Sequence, residues 1–206
     1  MAETLTLHEY ARSGNCYKIR LTAAHLGIPI ARREYDIMKG ETRTSGFLTL
    51  VNANGRIPVL QIGDRFLPES NAACVYLAHG SALIPTERFA FADMLRWMNW
   101  EQYNHEPNVA SLRFWFAFLG EGNLSDVQRA MLPGKIAASE AALTLMDEHL
   151  ARTPWFVGES MTLADIALYA YTHVADEGRV RLADYPNVAR WLADVAAQPG
   201  HIPITA

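Results

Sequence analysis

An alternating strand that runs straight into a helix through a small polar turn constrains this chain more than any other feature. Leu5-Thr6-Leu7-His8-Glu9 alternates apolar and polar residues, and Tyr10 breaks the alternation. Ala11-Arg12-Ser13-Gly14-Asn15 is turn chemistry, small and polar with one glycine. From Cys16 onward, Ile19, Ala23 and Leu26 recur at helical spacing; Gly27 and Pro29 then stop the helix. A turn so placed lies at a helix N-terminus, where unpaired N–H groups and the positive end of the dipole favour an anion. Ser13 is the hydroxyl of that turn. It fits two roles: an ordinary N-cap, or a donor that holds a bound thiol as thiolate.

The 206 residues make one large domain or two small ones, and with 50% of them apolar a sizeable core is available. A net charge of −4 with no basic stripe argues against nucleic acid as a partner. No apolar run is long enough for a membrane span. Met1-Ala2-Glu3-Thr4 lacks the basic start of a secretory leader. The two cysteines, Cys16 and Cys74, sit in unrelated contexts, so the expectation is a cytoplasmic protein with free thiols. The seven histidines show no ligand spacing, and no metal site is expected.

Ile30–Met38 reads as a second strand, parallel to the first because a helix separates them. Lys39-Gly40-Glu41 is a polar turn, followed by a short helical run through Phe47, Leu48, Leu50 and Val51. Arg56 to Leu67 reads as a hairpin about Gly63-Asp64. Pro58 opens its first strand and is the candidate cis peptide, which would turn the Ile57 backbone toward a ligand. Pro68-Glu69-Ser70-Asn71 starts a helix running from Ala72 to His79, with Ser70 as the expected N-cap. A hydroxyl and free N–H groups suit a carboxylate there, and Glu69 beside them suits an ammonium. Simple capping explains the same pair.

Gly80–Pro85 reads as a linker, and the composition beyond it is helical and aromatic. Trp97, Trp100 and Tyr103 recur at a spacing that predicts one helix face. Pro107 predicts a kink or break near Glu106. Leu112 to Phe118 is apolar almost all round, which fits core or a pocket wall. A long helix follows over about Ser125–Leu150, with a bend expected at Pro133-Gly134. Thr162-Leu163-Ala164-Asp165 has capping-box spacing ahead of an all-apolar helix, so Thr162 and Asp165 read as folding residues. A last helix carries Val188, Trp191, Leu192 and Val195 and ends at Pro199-Gly200.

Taken together, Ser13 to Arg20, Asn52 to Leu60, Glu69-Ser70 with Tyr76-Leu77-Ala78, Thr162 to Ile166 and Trp191…Pro199-Gly200 resemble the cytosolic glutathione S-transferases, the serine-type theta and zeta classes above all. That resemblance implies an α/β thioredoxin-like N-terminal domain, residues 1–80, and an all-α helical domain, residues 86–206, in a homodimer. It implies glutathione as cosubstrate, with Ser13 hydrogen-bonding its sulfur; from the turn itself, Asn15 is the next candidate through its amide donor, and Cys16 follows it. It further implies that the Ile57 backbone at cis-Pro58 meets the cysteinyl unit, that Glu69 and Ser70 hold the γ-glutamyl end, and that Lys39 and Arg56 reach the glycyl end. The aromatic run around Trp115 would wall a pocket for an apolar electrophile. Ala53, Ala73 and Cys74 depart from the family pattern without removing a ligand group. Ser13 and Cys16 keep dithiol spacing without the first sulfur, which excludes a dithiol cycle. Glutathione-dependent isomerisation, dehalogenation and disulfide reduction fit the same turn; a non-catalytic scaffold is the alternative from another class.

Overall fold

The computed structural model describes residues 4–206. Residues 1–3, on which the expectation of no leader partly rests, lie outside the described residues. The chain forms two compact units. One runs to Ile84 and takes back Gln198–Ala206; the other is Pro85–Ala197.

In the first unit, β1 (Leu5–Glu9), α1 (Gly14–His25) and β2 (Ala31–Glu34) form a strand–helix–strand crossover. A short helix α2 (Ser45–Leu50) leads to the hairpin β3 (Val59–Ile62) and β4 (Arg65–Pro68), and α3 (Ser70–Ala78) closes the unit. The sheet order is β2-β1-β3-β4. β1 pairs parallel to β2 (Leu7 opposite Arg32) and antiparallel to β3 (Leu7 opposite Leu60), and β3 pairs antiparallel to β4. This is the thioredoxin-like layout. Leu7, Leu60 and Ile62 are buried on the sheet face that carries α1, with Ile19, Leu21 and Ala23, and α3, with Ala73, Cys74 and Leu77. Each larger side chain buried this way contributes roughly 1.5–3 kcal/mol.

β2 is shorter than Ile30–Met38. The Asp36 carboxylate accepts from the N–H groups of Met38 (2.9 Å) and Lys39 (3.2 Å), which winds Ile37–Lys39 into a 3₁₀ turn. All four β2 residues are exposed, three of them charged, as suits an edge strand. The last nine residues, Gln198–Ala206, were expected with the helical domain and instead return to the first unit. Tyr17 Oη donates to the Ile202 carbonyl at 2.6 Å, and the Arg20 guanidinium donates to the Ile204 carbonyl at 2.9 Å.

Behind the sheet, His8 is 1% exposed. Its ring nitrogens meet the Tyr35 hydroxyl and Gln61 Oε1, each at 2.9 Å. Burial holds the His8 imidazole below the usual histidine range; the Gln61 hydrogen bond opposes this and Arg33 adds to it. Near pH 6 the unfolded chain therefore binds a proton that the native state refuses. Stability falls as pH drops below about 6.5 toward the native pKa. Thermal melts at pH 7.5 and 5.5 should show a lower midpoint in acid, and His8→Gln should shrink that difference; an undiminished difference would exclude His8 as its source.

The second unit is all helical: α4 (Arg88–Trp100), α5 (Glu106–Arg113), α6 (Asp126–Leu150), α7 (Leu163–Thr172) and α8 (Pro186–Ala196). A π-helical turn, Glu101–His105, joins α4 to α5, and Pro107 occupies the first turn of α5, where its missing N–H costs nothing. That wider turn rotates the helix face. Trp97 and Trp100 pack edge to face at 5.3 Å, but Tyr103 is 85% exposed and does not share their face. Phe114–Leu119 is a second π turn, mostly half-buried around a buried Trp115. α6 runs unbroken through Pro133. Every residue of α7 is buried, so it is the central helix. The Thr162–Asp165 capping box is present, and Phe156 stacks edge to face on Trp97 and Trp191.

Candidate functional site

β1 delivers the chain to the Ser13 turn. Ser13 N–H donates to the Tyr10 carbonyl at 2.8 Å, which closes the turn, and Tyr17 N–H reaches the Ser13 carbonyl at 2.9 Å to start α1. Ser13 is extended (φ −74, ψ 127), and its Oγ accepts from Cys16 N–H at a long 3.4 Å. So Ser13 is an N-cap. Capping uses one lone pair of the hydroxyl and leaves its O–H donor. The two roles expected of Ser13 are therefore compatible.

Cys16 is fully buried and takes a hydrogen bond from Tyr10 N–H at 3.4 Å. Burial pushes its thiol up to about 12, against the pull of the Tyr10 N–H and the Ser13 hydroxyl. At neutral pH it is an inert thiol. Any thiolate that works at this helix N-terminus must come from outside the chain.

Asn15 connects this turn to the start of α3. Ser70 Oγ donates to Asn15 Oδ1 at 3.3 Å. Ser70 is buried and is the first residue of α3, not its cap. The cap position belongs to Glu69, whose side chain makes no capping bond. Glu69 holds φ +73, a left-handed backbone that costs a non-glycine residue about 1–3 kcal/mol and so invites a functional explanation. It is exposed and directly precedes Ser70 at the start of α3. The Ile57–Pro58 peptide is cis, and β3 begins only at Val59, so the Ile57 backbone lies outside the ladder. The structure thus brings Ser13, Asn15 and Ser70 into one connected group, with Glu69 adjoining.

Lys39 and Arg56 stand apart from it. Lys39 is 76% exposed and pairs with Asp36 at 3.1 Å. Arg56 is exposed, and its carbonyl accepts from Asn52 Nδ2 at 2.9 Å. Among the described residues neither is joined to the Ser13 turn by a hydrogen bond or ion pair. The loop ahead of Arg56 is shaped by Gly55, at φ +64, where a Cβ would lie 2.6 Å from Arg43 Nη1. Among the described residues no group of three His, Cys, Asp or Glu side chains could hold a metal ion. No helix among them is long and apolar enough to cross a membrane.

Two groups absent from the sequence reading hold the back of the turn. Ala11 N–H donates to the Glu34 carboxylate, and the Arg20 guanidinium donates to the Ala11 carbonyl. A clue existed for Arg20: a cation inside a helical run that is otherwise mostly apolar needs a fixed partner. Glu34 gave none.

A mixed four-stranded sheet with α1 and α3 on one face, followed by an all-helical unit, defines a thioredoxin-like protein of glutathione-transferase architecture. Family models for the glutathione S-transferase N-terminal and C-terminal domains match residues 3–79 and 126–199. A crystal structure of glutathione S-transferase from Pseudomonas fluorescens superposes with a TM-score of 0.93 at 42% identity, covering 98% of this chain and 99% of that one. Glutathione S-transferase F14 of Arabidopsis thaliana is 30% identical over 80% of this chain and 68% of its own length. Elongation factor 1-gamma 3 of Oryza sativa subsp. japonica is 26% identical over 95% of this chain, which spans 47% of that protein. The chain belongs to the glutathione S-transferase family.

Proposed function

We propose that this protein is a serine-type, theta- or zeta-like glutathione transferase that binds glutathione, holds its sulfur as thiolate at Ser13 and transfers it to an apolar electrophile. The observation that carries the reading is the Ser13 hydroxyl at the N-terminus of α1, linked through Asn15 to Ser70 at the start of α3. The first site suits a sulfur anion and the second the carboxylate of an amino-acid head group. Glu69 supplies the opposite charge for the ammonium, and the Ile57 backbone is available to the peptide between them. We assign the exposed cations Lys39 and Arg56 to the glycyl carboxylate.

A free thiol at pH 7 is mostly protonated. The Ser13 O–H donor and the helix dipole stabilise the charged form and raise its fraction severalfold. The thiolate attacks an electrophilic carbon, a C–S bond forms, and the leaving group departs with the bonding electrons. The chain contributes placement and charge stabilisation. Family membership supports a homodimer, and the buried free thiols Cys16 and Cys74 suit a reducing cytoplasm.

Calorimetry with glutathione, together with the thiolate absorbance of the bound peptide, tests the reading. Binding with a depressed thiol pKa supports it. No binding at millimolar glutathione would replace it with a scaffold role. Glu69→Ala should raise the KM for glutathione roughly 10-fold or more and leave kcat nearly unchanged, because Glu69 serves the far end of the ligand in ground state and transition state alike. Steady-state kinetics check this; a fall in kcat at constant KM would move Glu69 to the reacting end.

A further inference from the structure

We propose that Glu34 and Arg20 are positioning residues, which grip Ala11 from both sides, one at its N–H and the other at its carbonyl, and so fix the place of the Ser13 hydroxyl. The proposal rests on the role given to Ser13 above. Ala11 N–H points at the Glu34 carboxylate, 2.8 Å from Oε1 and 3.1 Å from Oε2. The Ala11 carbonyl accepts from Arg20 Nη2 at 2.6 Å. Both bonds are charge-assisted, and both fall on the backbone of one residue two before Ser13, in the peptide groups on either side of its Cα. The Ser13 N–H to Tyr10 carbonyl bond then carries that placement across the turn.

Arg20 is itself held on every side. Its side chain is 4% exposed, and its Nε lies 3.0 Å from the fully buried Glu9 carboxylate, which also pairs with Arg32. Its Nη1 donates to the Ala206 oxygen at 2.7 Å and its Nη2 to the Ile204 carbonyl at 2.9 Å. The returning segment is seated farther along α1. Gly200, at φ +80, lies so close that a Cβ there would be 2.8 Å from the Ala24 carbonyl oxygen. The His25 ring meets the Pro199 carbonyl at 2.8 Å. The guanidinium is therefore a fixed post, and Glu34 anchors the opposite side of Ala11 from the neighbouring strand. A loop that only needed stability could be packed with apolar side chains. Placing two ions on the consecutive peptide groups of a single residue fixes position, and position is what a thiolate donor requires.

Three variants test this: Glu34→Ala, Glu34→Gln and Arg20→Lys. The last keeps a charge beside Glu9 but loses the fork that spans three carbonyls. Amide hydrogen exchange at Ala11 and Ser13, read without glutathione, should speed up in all three. With glutathione, Glu34→Ala should raise the bound thiol pKa and lower kcat roughly 3- to 30-fold with little change in KM. Glu34→Gln, which retains an acceptor, should recover part of that loss. In a Ser13→Ala background, Glu34→Ala should cost almost nothing more, because it acts through Ser13. Unchanged exchange in Glu34→Ala, or a kcat loss that adds in full to that of Ser13→Ala, would overturn the proposal. Faster exchange in a protein whose wild type shows no thiol shift would leave the grip standing and overturn the transferase reading instead. Should Arg20→Lys fail to fold, the two Glu34 variants carry the test alone.

Discussion

Ser13→Ala is expected to lower turnover about 10- to 150-fold and to raise the pKa of bound glutathione, with only a small loss of stability. A charge-assisted hydrogen bond to the sulfur is worth roughly 1.5–3 kcal/mol, which sets that range of rates. The cost to the fold is smaller. The Ser13 Oγ to Cys16 N–H bond is long, at 3.4 Å, so its loss falls toward the low end of cap deletions, about 0.5–1 kcal/mol. The melting temperature should drop by only a few degrees, roughly 2–5 °C. Titrating the thiolate absorbance of the bound peptide beside a thermal melt separates the two contributions. An unchanged thiol pKa with a lowered melting point would leave Ser13 as a cap alone. Cys16 cannot take over, since burial holds its thiol near 12. Asn15 would be next, although its Oδ1 already accepts from Ser70. Full activity in a Ser13, Asn15 double variant would remove the turn from the mechanism.

What the sequence disclosed followed the range of the interactions involved. The β1–turn–α1 unit was legible because its period changes from alternating to helical within a few residues, with Ser13 marking the change. The Thr162–Asp165 box was legible for the same reason, both partners lying within one turn. β2 was overextended because Asp36 competes for the backbone through its side chain, and alternation continues past the point where that carboxylate bends the chain. Ser70 was expected one step out of place. Its composition suits a cap, but the cap position fell to Glu69 in a left-handed conformation that glutamate does not choose by itself. Only the surrounding tertiary structure can impose it. Tyr103 moved off the tryptophan face because a π turn intervenes, and a three-residue spacing cannot announce one. The grip on Ala11 was illegible for a plainer reason. Glu34 is 23 residues from Ala11, and the Ile204 carbonyl is 184 from Arg20. No local pattern encodes such separations.

Asp165→Ala should be the most destabilising of the substitutions considered, lowering the melting temperature of the helical unit by roughly 10–20 °C. One buried carboxylate ties three parts of that unit together. Its Oδ2 accepts from Thr162 N–H at 2.8 Å and from Thr162 Oγ at 3.0 Å, capping α7. Its Oδ1 accepts from Phe156 N–H at 3.1 Å, on the preceding loop, and from Trp191 Nε1 at 3.0 Å, on α8. Burial pushes the carboxyl up, while these donors pull it down and favour the ionised form. Alanine leaves three N–H donors buried without an acceptor, each costing about 1–3 kcal/mol, and the losses overlap because the donors share one cavity. A total near 3–5 kcal/mol is expected, comparable to breaking a buried ion pair. Asp165→Asn should recover part of the loss, since its remaining oxygen still accepts from Phe156 N–H and Trp191 Nε1 while its amide nitrogen faces the Thr162 donors. The effect should be confined to stability. Well below its melting point the variant should keep the wild-type KM for glutathione and the wild-type thiol pKa, because the donors Asp165 serves are Thr162, Phe156 and Trp191, all within the helical unit. Calorimetric melting and glutathione titration on the same samples decide the matter. A melting point within about 2 °C of wild type would refute the structural role, and a folded variant with a shifted thiol pKa would show that Asp165 reaches the chemistry.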